Sequence, residues 1–354
     1  MTIGPKDIIE GSIAFSRAQA AAPYDPRCCI YRKRGSRYFA LDGANVRILD
    51  LRYDNYKRCP SYRDCIGEKV QVPAGLLEGP FRKPRSLGDA LPKFVPIVNP
   101  KDPRTYAHCR IPGLFPSVIV QTGAFLTGKD KIDRLSASAL RETLGFNGRL
   151  ILSSIMLDRV ILKRKVEDYI EMVAALEPDA VITWDVPTYS DHPYAATFNW
   201  MLRGLDAARK MALKLDIPLI GLVSGSDLEQ VRISSRSLAK MGFSGQALAC
   251  RELAIGRRFK TIASYAEEVK RNAQSLLMIG CSSPSAFWRF PMADSFAGLA
   301  WFYDSVFGRS LAGADGRSRR PSYRSNSQDN LAKENLLACH DLAEGNHCGL
   351  LEAA

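Results

Sequence analysis

The chain has 354 residues, 46% of them hydrophobic and 24% charged, which suits one large α/β domain with additions, or two domains, and excludes a fibrous or wholly disordered chain. Its formal charge of +12 favours a polyanionic partner, because each phosphate neutralised by a cation releases condensed counterions. No stretch approaches the roughly 20 uninterrupted apolar residues of a spanning helix, and Lys6, Asp7, Glu10 and Arg17 stand where a signal peptide would be apolar, so no membrane partner and a cytoplasmic location are expected.

Residues 1–115 have poor periodicity and many breakers, Pro60, Pro73, Pro80, Pro84, Pro92, Pro96, Pro100 and Pro103 among them. This region reads as an irregular cap that also holds the first elements of the main domain. Short strands are expected at 38–41 and 46–51, joined by the turn pair Asp42-Gly43. Arg32, Lys33, Arg34 and Arg37 alternate with Tyr31, Tyr38 and Phe39, a pattern in which cations hold a phosphate backbone while a ring receives an unstacked base.

After Pro116 the grammar changes. Apolar, β-branched runs recur at 117–122, 149–154, 179–184, 217–224, 246–250 and 275–281, about 30 residues apart. Helix-length amphipathic segments lie between them, as at 162–176, 195–214 and 227–241, ended by Pro178, Asp216-Ile217-Pro218 and Gly242. Nearly continuous apolar strands imply helices on both faces of each strand, hence a parallel sheet. Residues 116–310 are therefore read as the body of a (β/α)₈ TIM barrel, with two further strands drawn from the N-terminal region and from 290–310. An open doubly wound sheet is the alternative, but no Gly-x-Gly-x-x-Gly follows a strand, and candidate residues lie at several strand ends.

Residues 311–354 form a C-terminal extension. Arg317, Arg319, Arg320 and Arg324 surround Tyr323 in a Ser-rich basic stretch, a second candidate nucleic-acid contact, and a last helix is expected over 331–344. Nine cysteines without a secretion signal are expected to be reduced or metal-bound. Cys339, His340, His347 and Cys348 supply donor types that zinc favours, with Cys59, Cys65 or His108 to complete a structural site. No organic cofactor is expected.

The strand ends carry the candidate chemistry. Trp184-Asp185-Val186-Pro187 puts Asp185 just beyond a buried run, where a carboxylate can accept two hydrogen bonds from the N–H edge of a guanine-like ring. Ser224 and Gly225 close the next run as a pocket wall, and Asp227 caps the following helix. Gly123 admits a flat ligand near the backbone at another strand end, and Phe125 stacks on it or packs into the core. Pro284 suits a helix start after Gly280-Cys281. Asp294 is the candidate nucleophile or charge stabiliser, against a turn or cap role. Cys250 and Cys281 read first as small core residues.

Taken in order, Trp184-Asp185-Val186-Pro187, Gly221-Leu222-Val223-Ser224-Gly225-Ser226, Gly245-Gln246-Ala247-Leu248-Ala249 and Ala293-Asp294-Ser295-Phe296 resemble pieces of the guanine transglycosylase superfamily over roughly residues 117–307. The resemblance implies a (β/α)₈ barrel that exchanges a guanine in nucleic acid for a 7-deazaguanine. It assigns ring recognition to Asp185, a place beside the ring to Ser224, and backbone contact with the base to Ala249 and Cys250. Two departures stand out: the family's acid–base aspartate appears as Gln121 and its nucleophilic aspartate as Ala297. Either the register shifts and Asp294 does the work, or the chain is an engineered knockout, or this homologue binds without exchanging bases. The tRNA enzymes' Cys-x-Cys-x-x-Cys zinc triplet does not follow Phe307, so the resemblance points to the DNA-modifying branch. It implies DNA in preference to tRNA, a 7-deazaguanine base such as preQ0, and room for accessory protein subunits. A catalytically silent nucleic-acid- or base-binding homologue and an enzyme acting on a free deazapurine base or nucleoside are the alternatives.

Overall fold

Every apolar run expected between 117 and 281 forms a strand in a computed structural model of the protein, which describes residues 41–42, 45–46, 81–126, 136–155, 161, 164–189, 194–311 and 328–345. In chain order the barrel strands are β1 (Phe94–Val98), β2 (Ser117–Gln121), β3 (Arg149–Ser153), β4 (Ala180–Ile182), β5 (Leu219–Val223), β6 (Gly245–Ala249), β7 (Ser275–Ile279) and β8 (Ser295–Gly298). Each pairs in parallel with its neighbours, and β8 closes the ring onto β1, so the fold is a (β/α)₈ TIM barrel. The two strands sought outside the visible repeats are β1 and β8.

Alternation along each strand splits the core in two. On β2, Ile119 points into the barrel with Ile151 of β3 and Ile220 of β5, while Val118 and Val120 point outward into the layer beneath the helices. Leu87 and Leu91 pack against the inner cluster, and the Arg85 carbonyl accepts the Leu219 N–H at 3.1 Å where β5 begins, so the segment before β1 closes the amino-terminal end of the barrel.

The outer layer contains α1 (Ala137–Leu144), α2 (Val166–Leu176), α3 (Tyr194–Lys214), α4 (Leu228–Lys240), α5 (Phe259–Lys270), α6 (Pro284–Arg289), α7 (Ala300–Val306) and α8 (Gln328–Ala343). Asp227 caps α4 by accepting the Gln230 N–H, and α6 begins at Pro284, as expected. Helix α2 ends at Leu176, with Glu177 left-handed at φ 42° before Pro178. The fully buried Asn335 fastens α8 to the barrel: its amide donates to the Trp301 and Arg309 carbonyls, and its Oδ1 accepts the Leu311 N–H at 2.6 Å.

Two aspartates repeat one device at the amino-terminal end. Asp179, just before β4, accepts the Leu150 N–H at 2.7 Å and pairs with Arg141. Asp294, just before β8, accepts the Leu276 N–H at 2.7 Å and pairs with Lys270.

Leu41–Asp42 pairs antiparallel with Asn45–Val46, the core of the expected hairpin. Arg32, Lys33, Arg34, Arg37, Arg317, Arg319, Arg320, His347 and Cys348 lie outside the described residues. Among those described, no helix is long and apolar enough to cross a membrane.

Candidate functional site

A cavity of about 410 Å³ opens at the carboxyl ends of β4, β5 and β6, the end at which (β/α)₈ barrels build their sites. It brings together Asp185, Ser224 and Gly225, three of the residues singled out in the sequence.

Asp185 follows β4 and is held from behind. Its backbone N–H donates to Ser154 Oγ at 2.8 Å, and Ser154 in turn donates to the Thr183 carbonyl at 3.1 Å. The Val186 N–H donates to Asp185 Oδ1 at 2.8 Å, which fixes the plane of the carboxylate. Tyr169 of α2 packs on Trp184 with ring centroids 5.3 Å apart and donates to the Ile182 carbonyl. Burial raises the Tyr169 phenol above its ordinary range, so it stays a neutral donor.

The β5 loop is fixed just as tightly. Ser224 donates its N–H to Ser234 Oγ, and Gly225 donates to Thr188 Oγ1. A Cβ on Gly225 would lie 2.6 Å from the Val231 nitrogen, so the close approach this glycine permits is to the first turn of α4. Behind it Ser226, Thr197 and Gln230 form a buried hydroxyl–amide network, and the Tyr265 hydroxyl donates to the Ser226 carbonyl. Network and cavity share Ser226 and Tyr265, so the wall cannot move without breaking buried hydrogen bonds.

Other sequence candidates are not brought to this cavity. Cys250 lies beneath its wall at 1% exposure with its thiol pushed well up by burial, and its neighbours Ala249 and Arg251 provide the lining. Gly123 and Phe125 belong to a one-turn helix after β2, and Phe125 packs against the outer core. Gln121 ends β2, and Ala297 is fully buried inside the barrel. Asp294 precedes β8 and therefore lies at the opposite end of the barrel from Asp185, which follows β4.

The expected zinc site is corrected. Among the described residues no three His, Cys, Asp or Glu side chains group to hold a metal ion. Cys339 and His340 are successive residues of α8 and point to different neighbours: the Cys339 thiol to the Ser282 carbonyl, the His340 ring edge-on to Phe115 and to Asp341. Burial raises the Cys339 thiol, the reverse of what a thiolate ligand needs.

No family model matches this chain, and no curated protein matches it in sequence. The site therefore rests on its own geometry. Asp185, Glu252, Arg251 and Arg258 line the cavity together with the apolar Val186, Val223, Leu248 and Leu253. Charged, polar and apolar side chains thus meet in one cavity, the mixture that small-molecule sites use. Arg251, Glu252 and Arg258 are not among the sequence candidates, and their place just after β6 is the signal that marks them.

Proposed function

We propose that this barrel recognises a guanine-like ring, of guanine itself or of a 7-deazaguanine, at the mouth between β4 and β6, and that it binds nucleic acid, DNA in preference to tRNA. The observation that carries the reading is Asp185. Asp185 lines the cavity and its Oδ1 takes the Val186 N–H, and an anionic carboxylate is the acceptor that the adjacent N1–H and 2-amino donors of a guanine edge call for. Adenine offers no such pair of donors, so the same geometry selects between purines.

Base exchange needs a group that attacks the anomeric carbon while guanine leaves. The two positions to which the resemblance assigns that work hold Gln121 and Ala297, and neither side chain can attack or exchange a proton near neutral pH. Ring recognition without exchange is therefore the first reading. One observation supports exchange as a second: Glu252 shares the cavity with Asp185, so one carboxylate can hold a ring while the other attacks.

Equilibrium dialysis of guanine, 7-deazaguanine, adenine and 7-deazaadenine against the protein tests recognition. Retention of the first two alone is expected, whereas equal retention of all four, or of none, overturns the reading. Incubation with labelled 7-deazaguanine and with DNA or tRNA separates the two readings. Incorporation into either polymer establishes exchange, and its absence alongside ring binding leaves recognition alone.

A further inference from the structure

Next to the cavity the chain concentrates positive charge. From 250 to 260 it reads Cys-Arg-Glu-Leu-Ala-Ile-Gly-Arg-Arg-Phe-Lys, and from 280 to 290 it contains Arg289 and no acid. Arg251, Arg257, Arg258, Lys260 and Arg289 are all exposed, with Glu252 as the only carboxylate in either stretch. Among the described residues, no carboxylate pairs with Arg251, Arg257, Lys260 or Arg289. Arg289 lies over the Phe259 ring at 4.6 Å, which joins the end of α6 to the start of α5 and makes one surface of the two stretches.

Two further features do not follow from packing. The chain has four tryptophans; Trp184, Trp200 and Trp301 are buried, while Trp288, beside Arg289, is 46% exposed. Arg257 is left-handed at φ 52°. It follows the short helix Arg251–Ile255, where the Arg258 N–H returns to the Leu253 carbonyl at 2.8 Å, a helix-ending turn in which glycine is customary. An arginine there strains the backbone and gains nothing from burial.

We infer that this rim, from Arg251 through Lys260 and across to Trp288 and Arg289, is a contact surface for single-stranded nucleic acid. The guanidinium and ammonium groups take successive phosphates, Trp288 stacks one base, and Arg251 and Arg258, which also line the cavity, lead the strand to its mouth. The direction of the strand rests on the reading of the cavity as a base site; the charged rim does not.

Oligothymidylate is the probe, because it contains no guanine and so reports on the rim alone. In fluorescence anisotropy the logarithm of its affinity should fall steeply with the logarithm of salt concentration. The triple variant Arg257→Gly, Lys260→Ala, Arg289→Ala should flatten that slope by about 2, as the loss of three phosphate contacts to a single strand requires. Binding should quench the emission of the exposed tryptophan, and Trp288→Phe should abolish the quench. Arg257→Gly alone should raise the melting temperature while weakening oligothymidylate, an opposition that a merely structural arginine would not show. An unchanged slope in the triple variant overturns the inference, as does polyglutamate binding tightly while oligothymidylate gives no quench, which would mark an acidic protein surface as the partner. Retention of free guanine by the triple variant keeps the cavity reading separate: its loss in wild type would sink that reading and leave the rim standing.

Discussion

The carboxylate of Asp294 accepts the backbone N–H of Leu276 at 2.7 Å and holds Lys270 at 2.6 Å, tying the start of β8 to the start of β7. Asp179 does the same for Leu150 with Arg141, so the arrangement is a repeated strand clamp at the end of the barrel remote from the cavity.

Asp294→Ala is accordingly expected to cost about 1–2 kcal/mol, most of it from the lost charge-assisted hydrogen bond, since both members of the ion pair are partly exposed. Urea denaturation measures that cost, and equilibrium dialysis of guanine should show no change. Lost ring binding at unchanged stability would return Asp294 to the chemistry.

Ser154 is expected to act through Asp185. Ser154→Ala leaves the Asp185 N–H without its partner and frees the loop, so guanine affinity should fall about 5- to 10-fold, in proportion to one hydrogen bond of about 1 kcal/mol. Ser154→Thr, which keeps the hydroxyl, should recover most of it. Equal affinities for both variants, measured by titration, would show that the hydroxyl does not position the carboxylate.

The barrel was legible where its strands are buried on both faces. Runs such as 117–122 and 217–224 carry enough Val, Ile and Leu to be read as strands without knowing their neighbours. β1 was not, because Pro96 interrupts it and further prolines surround it; closure against β8 and β2 outweighs the N–H that Pro96 withholds. β8 reads Ser-Phe-Ala-Gly, too short and too small to announce a strand, yet Gly298 is required because any Cβ there would collide with Ser282.

Within the site, Asp185 and Ser224 were legible because a polar residue directly after an apolar strand falls at the rim. Asp294 stands out in the sequence as the only carboxylate of its stretch before Asp304, a signal that does not tell which end of a strand the residue occupies. Cys339 and His340 misled because donor types close in sequence diverge when helical neighbours lie about 100° apart.

Burial raises the thiols of Cys109 to about 12 and Cys281 to about 11, with Cys250 and Cys339 also shifted up. All four are expected to resist alkylation in the folded protein at pH 7.5. The folded thiols keep protons that the unfolded ones release near pH 9, so the unfolded state binds fewer protons and stability falls as pH rises from about 9 to 11. Melting temperatures across that range measure the effect; a flat profile would mean that these thiols are not desolvated.

Calorimetric titration of guanine into the wild-type protein and into Asp185→Asn tests the account most directly. The amide replaces one acceptor with a donor aimed at a donor edge, so the affinity should fall about 10- to 100-fold with the fold unchanged, as the loss of one to two hydrogen bonds to a charged group predicts. Equal affinities for the two proteins would mean that the cavity does not read its ligand through Asp185.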